Sequence, residues 1–200
     1  MMDNKALFKI GYGLYVLTAK DGEKDNGCII NTLLQVTDSP LSGVIAVNKR
    51  NYTHDMIVKT KEFNISILTT ETPFDVFNNF GFKSGRNINK FLDNASIKRT
   101  KNNIAYLPDH SNAYLSFKIT DTIDLGSHSM FRAEITDGEV LSNAESLTYA
   151  YYHQHIKPKP GEQKRGYRCT VCGYIHDSDT LPEDFVCPLC NHGAKFFERV

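Results

Sequence analysis

The chain is predicted to be mainly β: an antiparallel barrel with short helices, followed by a small cysteine-rich tail. Three observations predict this. Runs of β-branched and aromatic residues fill most of the first 155 residues, with few helical stretches between them. The composition breaks at "IKPKPGEQKR", residues 156–165. Four of the five cysteines then fall in two Cys-x-x-Cys pairs inside the last quarter.

The strand signals begin with "GLYVLTAK" and "GCIINTLLQVT", joined by "DGEKDN", a pattern that predicts a hairpin with an irregular loop. "LSGVIAVN" is a third strand whose start is limited by Pro40. "NYTHDMIVKTKEF" has helix-compatible apolar spacing and leads into a strand, "NISILTT". "TPFDVFNNFGF" carries Pro near its start and Gly81 near its end, a helix with start and stop signals. "NINKFL" is a short helical candidate. "IKRT", "IAYLP", "AYLSFKITDTIDL" and "SMFRAEITDGEVL" are strand-like, and "NAESLTYAYYHQH" predicts a terminal helix capped by Ser142 or Asn143.

Charge narrows the function classes. Lys+Arg and Asp+Glu are 23 each, so no global field points to nucleic acid or a membrane surface. No apolar run approaches the ~18–20 residues that span a bilayer. The first twenty residues lack a signal-peptide pattern, so the expected location is the cytoplasm, where clustered thiols indicate metal or redox chemistry. Cys28 stands alone and reads as an inert, partly buried thiol. The segment 156–165 reads as a linker, with two prolines, a glycine and four basic residues. Residues 158–165 would span at most roughly 26–29 Å when extended. The domains are therefore expected at 1–155 and 166–200.

Cys169, Cys172, Cys187 and Cys190 can place four thiolates around one ion. Iron and zinc both accept that tetrahedron, so the ligands alone do not choose between them. "YRCTVCGYIHD" and "LPEDFVCPLC" resemble the rubredoxin family, with Tyr167, Tyr174, Pro182, Phe185 and Pro188 at matching positions. The loop between the pairs is short, as in the rubredoxin-type tails of rubrerythrins, and Phe185 stands where Trp is common. The resemblance implies one iron per chain; a zinc ribbon is the alternative. The aromatics Tyr167, Tyr174, Phe185, Phe196 and Phe197 are expected to form a small core around the site.

The first domain carries no dinucleotide fingerprint: "GYGLY" is followed by strand-like residues and lacks a third glycine. Its segments, taken in order, instead resemble the flavin-reductase-like family, which implies an FMN-binding split barrel that dimerises. In "NGCIINTLLQVTDSPLSGVIAV" the resemblance puts Asn31, Thr32 and Gln35 against the flavin ring or ribityl chain. In "NKRNYTHDMI" it puts Lys49, Asn51 and Thr53 on the FMN phosphate, aided by a helix N-terminus. "GFKSGRNINKF" supplies Ser84, Gly85 and Arg86, with Asn87 and Asn89 where acidic residues are common. His128, in "GSHSMFRAEITDGEVL", falls where the family has a histidine near the nicotinamide, although Arg132-Ala133 replaces the small pair usual there.

A flavin accepts a hydride and releases electrons singly, while a rubredoxin iron carries one at a time. The combination resembles the high-molecular-weight rubredoxins. It implies an oxidoreductase with NADH or NADPH as donor and a flavodiiron protein, reducing dioxygen or nitric oxide, as acceptor. The alternatives are a free-flavin reductase whose tail recognises an acceptor, and a split-barrel binding module with a structural zinc ribbon.

Overall fold

The computed structural model describes Ala6 and residues 9–92, 97–158, 166–170, 174–187 and 192–200. Most of the linker, Cys172 and Cys190 lie outside the described residues. The chain forms two compact units, Met1–Ile156 and Lys157–Val200.

The first unit is built on one antiparallel sheet. In chain order its strands are β1 Tyr15–Asp21, β2 Lys24–Ile30, β3 Leu33–Asp38, β4 Leu41–Asn48, β5 Glu62–Leu68, β8 Ser111–Asp124 and β9 His128–Val140. The short strands β6 Lys98–Arg99 and β7 Ala105–Tyr106 pair separately. The seven-stranded order is β2-β1-β5-β8-β9-β4-β3. Its two ends are therefore strands consecutive in sequence, and the sheet curls until they flank a seam.

Strand β1 shows why the apolar runs are continuous rather than alternating. Leu17 and Ala19 face a core with Ile45, Phe63, Phe117 and Phe131, while Leu14 and Val16 face a second cluster with Phe77, Phe80, Leu107 and Leu147. A strand covered on both faces has no polar side to show. Phe63 and Phe117 stack at 4.8 Å in the first core. Helix α1, Tyr52–Thr60, packs on β1 and ends in a left-handed Lys61 (φ 63°) whose N–H returns to the Ile57 carbonyl.

Several elements differ from expectation. "DGEKDN" is not an irregular loop: Asp21 pairs with Lys24, leaving a two-residue turn in which Gly22 takes φ 58°. "GCIINTLLQVT" is two strands that part at Asn31–Thr32 and go to opposite ends of the sheet. "NINKFL" forms turns, because Lys90 is drawn inward to backbone carbonyls. The final helix starts late. Ser146 and Thr148 bridge to Thr69 and Gly13, and buried Leu147 donates to the Leu68 carbonyl, so residues 143–148 stay extended. Thr148, not Ser142 or Asn143, caps α3 (Tyr149–Tyr151) by accepting from the Tyr151 N–H at 3.1 Å. "TPFDVFNNFGF" gives α2, Phe74–Phe77, continued by a π-helical turn, Asn78–Phe82.

The second unit holds a three-stranded sheet, β11-β10-β12, from Ile175–His176, Tyr167–Cys169 and Phe197–Arg199. Phe197 stands edge-on to Phe185 at 5.2 Å and to Tyr174 at 6.4 Å, and His176 lies 4.3 Å from Phe185. Truncating the stacked pair of the first core tests the barrel. Phe63→Ala should cost about 3–5 kcal/mol in denaturant unfolding of the first unit. The unfolding midpoint of the second unit, followed by the accessibility of its cysteines to a thiol reagent, should not move.

Candidate functional site

Strand β4 organises the flavin-side candidates. Asn31 and Thr32 form the corner between β2 and β3, and the Thr32 hydroxyl donates to the Ala46 carbonyl (2.8 Å) while accepting from the Ala46 N–H (3.1 Å). Gln35 pairs with Gly43 across the β3–β4 ladder, so its exposed side chain lies further along the same edge. At the other end of β4, Asn48 pairs with His128. Lys49, Asn51 and Thr53 follow directly.

Lys49 donates to Asp124 at 2.6 Å, and its own N–H bonds the Ser127 carbonyl. The ion pair is largely exposed, so surrendering it to another anion costs little. The same lysine holds the Asp124 carboxyl below its ordinary value. His128 is half-buried, and its Nδ1 lies 2.9 Å from the Ser127 hydroxyl, which fixes the ring. Asn51 is the N-cap of α1 without a side-chain capping bond. Thr53 points inward instead: it is buried and accepts from the Asn26 amide at 3.0 Å.

Of Ser84, Gly85 and Arg86, Arg86 lies against the start of α1 and Gly85 against β2, while the Ser84 hydroxyl accepts locally from the Arg86 N–H. Gly85 is required by close approach, since a Cβ there would fall 1.9 Å from Asn26 Oδ1. Arg86 pairs with Asp55 and lies 4.9 Å from the Tyr52 ring. Asp55 also approaches His54 Nδ1 at 3.5 Å, and His54 Nε2 meets the Ser129 hydroxyl at 2.9 Å beside His128. A chain of polar contacts therefore joins Arg86 to the strand that carries His128.

Lys90 was not singled out by sequence, because a lysine in a polar stretch ordinarily reads as solvated. It is buried, and its ammonium donates to the Gly27 carbonyl at 2.8 Å and the Phe80 carbonyl at 3.3 Å, tying the 84–92 segment to β2. Burial pushes its pKa down to about 8. Cys28 is buried nearby and its thiol is pushed up by that burial, with Thr53 and Lys90 pulling weakly the other way.

In the second unit Cys169 and Cys187 are almost wholly buried, at 1% and 0% exposure. The Cys169 N–H donates to the Tyr174 carbonyl (2.7 Å) and the Cys187 N–H to the His192 carbonyl (2.8 Å). The two loops are thus closed by the same bond, from each cysteine to the fifth residue after it. Cys172 and Cys190, inside those loops, lie outside the described residues. A matched pair of loops with a sulfur-only donor set fits a four-coordinate thiophilic ion.

Residues 7–159 match the flavin reductase like domain family, and residues 167–198 match the rubredoxin-like domain of rubrerythrin. Over the full length of both chains the sequence is 37% identical to high molecular weight rubredoxin of Moorella thermoacetica. The chain belongs to the high molecular weight rubredoxin family. It is also 37% identical to the ferric-chelate reductase (NAD(P)H) of Archaeoglobus fulgidus, across 79% of this chain and 93% of that one. The NADH:FAD oxidoreductase SgcE6 of Streptomyces globisporus shares the fold at a TM-score of 0.66 and 20% identity, covering 74% of this chain and 91% of that one. High molecular weight rubredoxins thus join a flavin-reductase-like split barrel to a rubredoxin-like metal unit. Membership makes this chain a flavin-dependent oxidoreductase with an iron-carrying tail.

The buried lysine makes stability depend on pH. Between about pH 8 and the ordinary lysine value of 10.5, the unfolded chain keeps a proton that the folded chain has released. Raising the pH through that window therefore favours the folded state. Cys28 acts in the opposite sense above its ordinary value of 9.0, so the effect is read below it. From about pH 7.5 to about pH 9, the wild type should gain on the order of 1 kcal/mol relative to Lys90→Met in denaturant unfolding. A constant difference would show that Lys90 does not titrate in this window.

Proposed function

We propose that this chain takes electrons from NADH or NADPH at an FMN held by the first unit and delivers them singly, through one rubredoxin-type iron, to a protein acceptor. A flavodiiron dioxygen or nitric oxide reductase is the acceptor we assign. The observation that carries this is the full-length match to a high molecular weight rubredoxin, together with two identically closed loops around buried Cys169 and Cys187. The NAD(P)H named for the ferric-chelate reductase of Archaeoglobus fulgidus supports the donor. The expected working compartment is the reducing cytoplasm, and the expected domains are 1–155 and 166–200.

When bound, FMN converts a hydride into single electrons, and a thiolate-held iron carries them one at a time. The chain's own residues have these tasks. Asn31, and Thr32 held to Ala46, present the β2–β3 corner to the flavin, with Gln35 further along the exposed edge. Lys49 releases Asp124 to meet the phosphate charge. Asn51 and Thr53 contribute the uncapped first turn of α1, Thr53 through its backbone because its hydroxyl is buried against Asn26. Ser84, Gly85 and Arg86 close the site from the segment anchored by Lys90. His128, held by Ser127, positions the nicotinamide. Cys169, Cys172, Cys187 and Cys190 hold the iron, and the ring cluster of Tyr174, Phe185 and Phe197 limits water around it.

A homodimer is also part of this proposal. Leu34, Val36 and Leu41 are 64%, 41% and 44% exposed on and beside the edge strand β3, an apolar row that a second copy would cover.

Purified protein should contain one FMN and one iron per chain, measured as acid-released flavin and by elemental analysis. Cys187→Ser should lose most of the iron and keep the flavin. Zinc in place of iron, or joint loss of both groups in the variant, would contradict the proposal.

A further inference from the structure

Asn26 is a buried amide inside a strand, and folding alone does not call for one. It is 2% exposed on β2, paired with Ala19 of β1. Asparagine is a poor strand former, and a buried amide costs stability unless its hydrogen bonds are made. An apolar side chain on this face, which meets α1, would carry no such cost. In sequence Asn26 closes "DGEKDN" and reads as a loop residue, so only the fold reveals its surroundings.

The amide meets two segments that are far apart along the chain. Its Nδ2 donates to the Thr53 hydroxyl at 3.0 Å, in the first turn of α1. Thr53 also hydrogen-bonds the Cys28 thiol, on the same face of β2, so the turn is gripped at two places. The amide also crowds Gly85: a Cβ there would fall 1.9 Å from Oδ1, 2.5 Å from Cγ and 2.9 Å from Nδ2. No side chain at position 85 fits between them. One residue along β2, the Gly27 carbonyl accepts from the Lys90 ammonium at 2.8 Å, a second attachment of the same segment. Above this contact Arg86 pairs with Asp55, but both are about half exposed and such a pair contributes little. The spacing between the α1 turn and the 84–86 turn is therefore set from beneath, by Asn26.

We propose that Asn26 is a positioning residue for the flavin: it fixes the first turn of α1 and the Ser84–Arg86 turn at the one separation at which both reach the same bound FMN. The inference rests on the function proposed above, which gives FMN to these two segments. Asn26 is too deeply buried to touch the ligand. It acts through Thr53, which it holds by a hydrogen bond, and through Gly85, whose approach it limits.

Three variants of the full chain form a cycle: Asn26→Ala, Gly85→Ala, and the two together. Gly85→Ala drives a methyl into the amide, and removing the amide makes room for it. FMN affinity is read by fluorescence quenching on adding the flavin to flavin-free protein. Asn26→Ala should weaken it about fivefold, the loss of one buried hydrogen bond. Gly85→Ala should weaken it about tenfold or more, through overpacking. The double variant should bind no worse than Asn26→Ala alone, because the two changes act on one contact. At saturating FMN, the visible circular dichroism of the bound flavin should change shape in Asn26→Ala, which a mere loss of stability would not cause. Hydrogen exchange in the flavin-free protein gives an independent reading, at the Asn87 and Ile88 N–H groups that both donate to the Ser84 carbonyl. Gly85→Ala should speed their exchange, and the double variant should return it to the Asn26→Ala rate. If the two affinity losses multiply in the double variant, or if saturated Asn26→Ala shows the wild-type dichroism, Asn26 does not position the site. Should Gly85→Ala fail to fold, the dichroism of Asn26→Ala still decides. A wild type that binds no FMN would sink the function proposed above, and the exchange cycle alone would then show whether Asn26 holds the 84–88 turn.

Discussion

The first unit depends on one side chain at a corner. Between β2 and β3 the chain leaves one end of the seven-stranded order and enters the other, and no backbone ladder can follow it across that break. The Thr32 hydroxyl takes the ladder's place, donating to the carbonyl and accepting from the N–H of Ala46. Each bond contributes about 1 kcal/mol net, but together they set the register in which Leu33 meets Ile45. That register places β4 between β3 and β9, and β4 then delivers Lys49 and the start of α1 beside His128. A slip by one residue would turn Ile45 and Val47 out of the core.

The second unit obeys a different constraint. It has a three-stranded sheet of very short strands and a handful of rings, too little apolar mass to hold a fold. An ion held between the buried sulfur atoms would supply what is missing, because its binding energy is folding energy. The matching bonds from Cys169 to Tyr174 and from Cys187 to His192 shape both loops for one task. Under the proposed function, the basic segment 156–165 serves as a tether that would raise the local concentration of one redox group near the other to about the millimolar range.

Much of this was legible in sequence, for reasons that differ by element. β1 and β4 showed as apolar runs because both of their faces are covered or paired. The break at Asn31–Thr32 was hidden, since the residues on either side are equally strand-like and only sheet order separates them. The late start of α3 was hidden for a related reason: helix-favouring residues from Glu145 onward are held extended by Leu68 and Thr69, a tertiary effect that overrides local preference. The rubredoxin-like unit was legible because paired cysteine spacing marks it, and the flavin-reductase-like unit only through resemblance. Thr53 matched in sequence yet turns its hydroxyl inward to Asn26, while Lys90 is held by a carbonyl that lies far away along the chain.

The central claim is that the two units form one electron path within a single molecule. Anaerobic mixing of the intact, fully oxidised protein with NADH, followed at the separate absorbance bands of flavin and thiolate-bound iron, tests it most directly. Both bands should bleach, the iron band at a rate unchanged by a tenfold dilution of the protein. A flavin that bleaches while the iron stays oxidised, or an iron rate that falls in proportion to dilution, would contradict it.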